Sequence, residues 1–530
     1  MTNMPKVRLG LVAVSRDCFP IELSRKRQLR VAEECRKAGL AVVRIPTIVE
    51  NETDALKALE EVRANNVNAL VLYLGNFGPE GPTTILAQKF DGPVMVAAAA
   101  EESGKDLVNG RGDAYCGMLN NSYNMGLRKL RPCVPEYPVG TPEEVAAMIA
   151  GFVPVARVLL GMSKLKIFSF GPRPQDFLAC NAPIKPLYDL GVEVMENSEL
   201  DLYDIFRKAE GDPKTKAVAA DMARELGAGN QYPDILVKLA QFEVALLKFM
   251  EKNLGASEYG VFADKCWPAF ESFFGFVPCY VNSRLAARGI PVACEVDIYG
   301  ALSEYICTCA TELPATLLDI NNTVPYDMIA GAKKAMKGYK PTDLFMGFHC
   351  GNTPAPCMLD PAMRYQLIMH RLMEPGKAPD ITRGTLEGRI KTGGVTIFRL
   401  QSTAETVLRS YMAEGEVSTS TPSRSAASAS SASRRWGGST GTSSLRSASR
   451  TTRPSLSPPP GRRSGRRCAC SASRTSPSTG RPGCSTRPRT RSRSGPAVRP
   501  PRAQFPPRVG AGALASKYFL GSFSSRMAAL

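Results

Sequence analysis

Three ionisable residues that each follow a short apolar run are the best candidates for chemistry in this 530-residue chain. Glu295 follows IPVAC, Asp319 follows ATLL, and His349 follows LFMGF. An apolar run that ends on a polar group is typical of a buried strand that delivers the group at its carboxyl end, where open α/β sheets bind ligands. Two carboxylates and an imidazole suit a divalent metal ion or shared proton transfer. Three unrelated strand-end residues remain the alternative interpretation.

The elements that must position these residues begin with an α/β domain over residues 1–160. The segments KVRLGLVAV, AVVRIP, NALVLYLG and GPVMVAAAA read as strands with helical segments between them. Strands that are apolar on both faces and alternate with helices predict a doubly wound parallel sheet of the Rossmann-like type. No GxGxxG follows the first strand, so a dinucleotide fingerprint is missing. Arg16, at the edge of that strand, is a candidate to bind a ligand hydroxyl or carboxylate, with an exposed helix-flanking arginine as the alternative.

Two further folded regions follow. Thr141 is a good N-cap for a long helix that links the first domain to a second Rossmann-like α/β domain, residues 161–310, which carries Glu295. Residues 311–416 contain shorter, alternating segments such as GRIKTGGVTIFRLQST. This pattern predicts a partial, β-rich and barrel-like C-terminal domain that carries Asp319.

Composition limits the function classes. The net charge of +18 belongs to the tail, because 20 Arg and one Lys follow Glu416 without any Asp or Glu. Removing those 21 from the 67 basic residues leaves 46 against 49 acidic residues, a net charge of −3 for the rest. No uninterrupted apolar segment is long enough to predict a membrane span, and the N-terminus lacks a signal-peptide pattern, so a cytoplasmic location is expected. The 15 cysteines are mostly scattered singly, which predicts reduced, buried thiols.

Residues 417–530 have a different composition. They are rich in Ser, Arg, Ala, Thr and Pro and contain no Ile, Asn, His, Asp or Glu. Such a segment is expected to be disordered. An Arg/Ser tract that binds RNA is one interpretation; we favour off-frame translation of a GC-rich coding sequence or a gene-model error, because the break falls directly after a strand-like segment. Nucleic acid is therefore not an expected partner.

The motifs KCWP, ACEVDIYGALSEY, LLDINN and FHCGN resemble the L-fucose isomerase/L-arabinose isomerase family, in its fucose-isomerase-like branch, over about residues 5–416. The resemblance implies two Rossmann-like domains, a β-rich C-terminal domain, a homo-oligomer and a divalent metal ion, Mn²⁺. It also implies that Glu295 and Asp319 bind the metal and act as acid and base. The family's histidine ligand lies near the end of the C-terminal domain, beyond the point where this sequence departs, so the third ligand is expected to be missing.

The chemistry fits these carboxylates. Converting an aldose to a ketose moves a proton between C1 and C2 through an enediol, and carboxylates can remove and return it while a hard cation holds the sugar oxygens. A strand-end carboxylate that caps the next helix is the alternative, a role that Asp297 fits as well as Glu295. His349 either lines the site or replaces the missing ligand, and Lys265 and Trp267 are candidates to contact the sugar.

The sequence therefore predicts an intramolecular oxidoreductase, an aldose–ketose isomerase for a monosaccharide of the L-fucose/L-arabinose type. If the missing histidine ligand is essential, the chain is expected to be an inactive member of this class. A non-catalytic sugar-binding or regulatory protein is the alternative, since two α/β lobes around a cleft also suit sugar capture.

Overall fold

The computed structural model describes residues 3–331, 339–417 and 428–436, all within one compact unit. These residues form three sheets, two of which are wholly parallel. The α/β class and the two parallel sheets predicted from the sequence are confirmed.

The first sheet is built as the apolar runs predict. Its strands are β1 (Leu9–Val14), β2 (Val42–Arg44), β3 (Ala69–Leu74), β4 (Val94–Ala99) and β5 (Val139–Gly140), in the order β2-β1-β3-β4-β5. The helices are α1 (Ile21–Lys37), α2 (Glu52–Ala64), α3 (Glu80–Lys89), α4 (Asp106–Asn109), α5 (Ala114–Leu127) and α6 (Pro142–Met162). All six residues of β3 are buried because helices cover both faces of the sheet.

Helix α6 connects the hydrophobic cores of the first two sheets. It begins with a capping box, in which Thr141 accepts from the backbone of Glu144 and the Glu144 side chain accepts from the backbone of Thr141. Its residues up to Ala156 pack in the first core, and Val158 and Met162 pack in the core of the second sheet. By length and composition it is the one helix among the described residues that could cross a membrane, although Glu143, Glu144 and Arg157 interrupt its apolar sequence. More than half of its most apolar stretch is buried, in the cores of the first two sheets.

The second sheet creates a cleft. Its strands are β6 (Leu165–Gly171), β7 (Glu193–Ser198), β8 (Tyr259–Ala263) and β9 (Val292–Ala293), in the order β7-β6-β8-β9. The helices are α7 (Lys185–Asp189), α8 (Glu199–Lys208), α9 (Lys214–Leu226), α10 (Leu236–Asn253), α11 (Phe270–Phe274), α12 (Cys279–Ala287) and α13 (Ile298–Thr311). The chain leaves β6 towards β7 on one side and returns to β8 on the other, so a crevice opens at the carboxyl end of β6.

A buried ion network fixes three helices of this region. Arg284 of α12, with a side chain only 1% exposed, pairs with Asp221 and Glu225 of α9 and with Glu243 of α10. Glu243 is equally buried and also pairs with Arg288 at 2.6 Å. The network compensates charges that would be costly to bury alone.

The third sheet is mainly antiparallel. Its strands are β10 (Asp319–Asn321), β11 (Leu344–Phe348), β12 (Met358–Tyr365), β13 (Arg383–Ile390), β14 (Gly393–Ser402), β15 (Leu408–Val417) and β16 (Ser428–Trp436). Two helices accompany them, α14 (Tyr326–Gly331) and α15 (Leu367–Met373). The order is β10-β11-β16-β13-β12, with β14 joined through β15 to β16. The predicted β-rich character is therefore present, while barrel-like closure is not confirmed.

Strand β16 corrects part of the predicted tail. Residues 428–436 pair with β11, β13 and β15, so the expectation of disorder is wrong for this segment. Backbone hydrogen bonds need no apolar side chains, and the open edges of β11 and β15 supply partners. The rest of the predicted tail, residues 418–427 and 437–530, lies outside the described residues.

Candidate active site

Glu295 lies in a strained turn at the carboxyl end of β9. Its φ and ψ are 63° and 17°, and the φ of Val296 is 54°, so two successive non-glycine residues occupy the left-handed region. The N–H of Val296 donates to the carbonyl of Asp264 at 2.7 Å, and the N–H of Asp264 donates to Ala293 at 3.0 Å. This turn therefore keeps an unfavourable backbone because neighbouring strand ends hold it, an arrangement common at functional sites.

The Glu295 carboxylate is not used by the helix that follows. Asp297 caps α13 instead, since its side chain accepts from the N–H of Gly300 at 2.8 Å. Arg399 of β14 also donates to both Asp297 oxygens, at 2.7 and 2.9 Å. The residue that caps α13 is therefore Asp297 and not Glu295.

One oxygen of Glu295, Oε2, is buried and has no hydrogen-bond partner among the described residues. Burial and the negative charge of Cys350 raise the pKa of Glu295, and His349 and a hydrogen bond from Trp267 oppose that rise. A carboxylate with a raised pKa and a free buried oxygen can accept and return a proton.

Asp319 and His349 become neighbours through the register of β10 and β11. Asp319 is paired with Phe348 in this antiparallel ladder, so it lies next to the residue that precedes His349. Asp319 thus begins a strand rather than ending one, and it belongs to a different sheet from Glu295. The trio is therefore assembled from two sheets, whereas the sequence pattern suggested equivalent strand ends.

Electrostatics connects the three residues. His349 is only 5% exposed, and although burial alone would lower its pKa, Cys350, Asp319 and Glu295 raise the pKa to about 9. Asp319 is exposed as a residue, but neighbouring atoms partly bury its carboxyl group, and this burial raises its pKa. The positive charge of His349 opposes the rise. At neutral pH an imidazolium therefore faces two carboxyl groups.

Two of the described carboxylates have the chemistry of metal ligands. The unpartnered oxygen of Glu295 and the carboxylate of Asp319 are the hard oxygen donors that Mn²⁺ or Mg²⁺ prefers. No group of three His, Cys, Asp or Glu side chains within the described ranges is arranged to hold a metal ion. The metal ion predicted from the sequence therefore stays a prediction.

Of the three other residues predicted to contact the sugar, Trp267 and Lys265 lie near Glu295, and Arg16 lies on the first sheet. Trp267 is among the groups that lower the pKa of Glu295, and it packs edge-on against Phe177, with ring centroids 5.6 Å apart. Lys265 is buried near the same strand end, but its ammonium group is paired with Glu199 at 3.1 Å. Arg16 lies on the first sheet, where it pairs with Glu80 at 2.8 Å and stacks over Phe77. The described contacts of Arg16 therefore do not join it to Glu295.

Two buried acids near the site were missed in the sequence. Asp264 is fully buried, hydrogen-bonded to Asn282 at 2.9 Å, and burial raises its pKa to about 7. Glu304 of α13 has an unpartnered oxygen, and burial raises its pKa to about 8. The available signals were the adjacency of Asp264 to Lys265 in ADKCWP and the position of Glu304 within the motif ACEVDIYGALSEY.

The scattered cysteines also converge here. All 12 cysteines in the described part of the chain are free, as expected. Four of their side chains form a cluster beside Glu295 and His349: Cys266, Cys279, Cys294 and Cys350. Hydrogen bonds from the other three hold the pKa of Cys350 well below its usual value. Because these residues are up to 84 positions apart in the numbering, no local spacing pattern could reveal the cluster.

Comparisons with known proteins agree with the motif-based resemblance. Residues 10–163 match a family model described as fucose/sulfoquinovose isomerase, N-terminal domain, and residues 347–439 match one described as L-fucose isomerase, C-terminal domain. The second match continues past Val417, where the resemblance was expected to stop.

Several curated relatives are sulfoquinovose isomerases. The one from Priestia aryabhattai is 25% identical over 399 residues, which cover 74% of this chain and 82% of the relative. The one from Alkalicoccus urumqiensis is 27% identical over 274 residues, covering 50% of this chain and 55% of the relative. The one from a Clostridium species is 29% identical over 201 residues, covering 36% and 44%.

Proposed function

This chain belongs to the fucose-isomerase-like family of aldose–ketose isomerases, and on that premise we propose that Glu295 and Asp319 carry out the proton transfers of the reaction. The observation that carries the proposal is the free, buried oxygen of Glu295 in a strained turn, facing the electrostatic pair of Asp319 and His349. Asp297 performs the helix-capping role that would otherwise explain a carboxylate here.

The reaction needs two linked proton movements. One carboxylate removes the proton from C2 of the open-chain aldose and returns it to C1, while the proton on the C2 hydroxyl passes to the C1 oxygen. We assign the transfer between carbons to Glu295, whose buried position favours a shielded proton, and the transfer between oxygens to Asp319, which is exposed to solvent. His349, as a buried cation, stabilises the negative charge of the enediolate.

A divalent metal ion, Mn²⁺, is part of the proposal, with Glu295 and Asp319 as its protein ligands. When bound, it would polarise the sugar carbonyl. No third His, Cys, Asp or Glu among the described residues joins them in a cluster that could hold a metal ion, and no histidine follows His370 in the sequence.

The substrate is proposed to be a monosaccharide aldose. The sequence motifs resemble those of isomerases for sugars of the L-fucose/L-arabinose type, and the curated relatives are named for sulfoquinovose. Both classes therefore belong in the first substrate panel. Cytoplasmic location and assembly as a homo-oligomer stay predictions.

The test is Glu295→Gln in the full chain, with Glu251→Gln as a matched control because Glu251 lies exposed on α10. Ketose formation and incorporation of deuterium from D₂O are measured with and without Mn²⁺. We expect Glu295→Gln to lose at least about 10³-fold in turnover, since the acid–base group is removed, and the control to match the wild type. Turnover retained by Glu295→Gln refutes the assignment. Sugar binding by the wild type without turnover under any metal condition supports the non-catalytic alternative.

A further inference from the structure

A cavity of about 690 Å³ opens at the carboxyl ends of β6 and β7. Its wall includes Ser169, Gly171, Arg173, Cys180 and Val296. This is the crevice at which the chain leaves β6 in opposite directions, the usual ligand position in an open α/β sheet. None of the residues assigned to proton transfer lines it.

The cavity nevertheless lies beside the proton-transfer site. A Cβ atom added to Gly171 would be 3.8 Å from Cγ1 of Val296 and 3.9 Å from the backbone nitrogen of Arg173. The loop that carries Arg173 is therefore close to the residue after Glu295. Burial raises the pKa of Cys180 to about 11, and the charges of Asp297, Glu295 and Asp319 add to this rise. Cys180 is therefore within electrostatic range of the proton-transfer site. A sugar whose C1 and C2 lie at Glu295 can extend its other end into this space.

Arg173 is the single cation among the described residues that line the cavity. Its Nε is buried and lacks a hydrogen-bond partner, and its guanidinium forms no ion pair within the described part of the chain. The one carboxylate in the wall, Glu196, is exposed on β7 and forms no ion pair with Arg173. A partly buried guanidinium with an unsatisfied donor is unfavourable unless a ligand supplies the acceptor.

Nearby polar groups are already engaged. The side-chain amide of Asn197 donates to the carbonyls of Ser169 and Met195, and the hydroxyl of Ser198 bonds Asp201 in the capping box of α8. These groups hold the wall in place, so Arg173 is the cation that stays free in the cavity.

Resting on the proposed isomerase function, we propose that Arg173 binds a strongly acidic substituent, a sulfonate or a phosphate, at the end of the sugar remote from C1 and C2. The planar fork of a guanidinium matches two oxygens of such a tetrahedral anion. A neutral sugar offers no charge to satisfy it. Arg173 thus selects acidic sugars over neutral ones of the same shape.

The experiment compares three sugars that share a glucose-like skeleton: sulfoquinovose, glucose 6-phosphate and the neutral 6-deoxyglucose. Arg173→Gln and Arg173→Lys are measured beside the wild type. Arg8→Gln is the control, because Arg8 is exposed and directly precedes β1 of the first sheet. Both kinetics and calorimetric binding are recorded on the full chain, and circular dichroism checks the folding of each variant.

We expect Arg173→Gln to raise KM and Kd for the acidic sugar by about tenfold to a hundredfold, the loss of one charge-assisted interaction, with a smaller change in kcat. Values for 6-deoxyglucose should stay unchanged, Arg173→Lys should restore part of the affinity, and Arg8→Gln should behave as the wild type. Whichever of sulfoquinovose and glucose 6-phosphate binds more tightly to the wild type identifies the acidic group.

Three results overturn the proposal: equal losses for acidic and neutral sugars, no change in Arg173→Gln, or wild-type binding that does not favour an acidic sugar. Calorimetry separates this failure from failure of the isomerase assignment. If the wild type turns over no sugar but binds an acidic one through Arg173, the isomerase proposal fails and the anion site stands. If the wild type turns over sugars and Arg173→Gln does so equally well, the isomerase proposal stands and the anion site fails.

Discussion

Replacing Glu271 with Gln should make the protein more stable at alkaline pH. Glu271 lies in α11 and has no exposed surface, and neither of its carboxylate oxygens has a hydrogen-bond partner among the described residues. Burial, with the charge of Glu199 among the smaller contributions, raises its pKa from 4.5 to about 8. Folding therefore requires a neutral carboxyl group in a place where water does not reach.

The sign of the pH dependence follows from proton binding. Between pH 4.5 and about 8 the folded chain holds a proton on Glu271 that the unfolded chain has released, so the free energy of unfolding falls as pH rises through this range. At about 1.4 kcal/mol for each pH unit, the limit is about 5 kcal/mol. Water entering on ionisation lowers this cost, and we expect about 2 kcal/mol. Gln keeps the shape of the side chain and has no charge to lose.

Urea unfolding at pH 5.5, 7.0 and 8.5, followed by circular dichroism, measures the effect. The wild-type midpoint should fall relative to Glu271→Gln as pH increases, and the exposed Glu251→Gln should follow the wild type at each pH. The difference between wild type and variant isolates Glu271 from the other buried acids, Asp264 and Glu304, which titrate in both proteins. Parallel curves for wild type and Glu271→Gln from pH 5.5 to 8.5 would refute the reasoning.

Two further perturbations test the packing. Arg284→Ala should cost about 3–5 kcal/mol in urea unfolding, because it leaves the buried Glu243 partly uncompensated; a loss below about 1 kcal/mol would contradict the buried network. Gly117→Ala in α5 should destabilise by at least about 2 kcal/mol, because its Cβ would lie 1.7 Å from the carbonyl oxygen of Phe77. Gly126 lies in the same helix, and a Cβ added there would have no atom within 4 Å. Gly126→Ala should therefore be neutral or stabilising by up to about 1 kcal/mol in thermal unfolding. Equal losses of stability for both variants would contradict the close approach of Gly117 to Phe77.

Much of the architecture could be predicted because local patterns carry it. The continuous apolar runs of β1, β3 and β4 predict strands covered on both faces, and the capping residues at Thr141 predict the start of α6. The alternation in β14 and β15 predicts an antiparallel ladder, which the structure contains. Composition failed at β16, since pairing of its backbone depends on neighbouring strands rather than on its own side chains.

The sequence by itself determined which residues were worth considering: Glu295, Asp319 and His349 were found from their positions after apolar runs and from the family motifs. Only the tertiary structure decided how they meet. The register of β10 against β11 brings Asp319 beside His349, and the carbonyl of Asp264 holds the strained turn of Glu295. Such contacts join residues dozens of positions apart, and no local periodicity encodes them. The same holds for the free guanidinium of Arg173, whose lack of a partner is a property of the folded cavity.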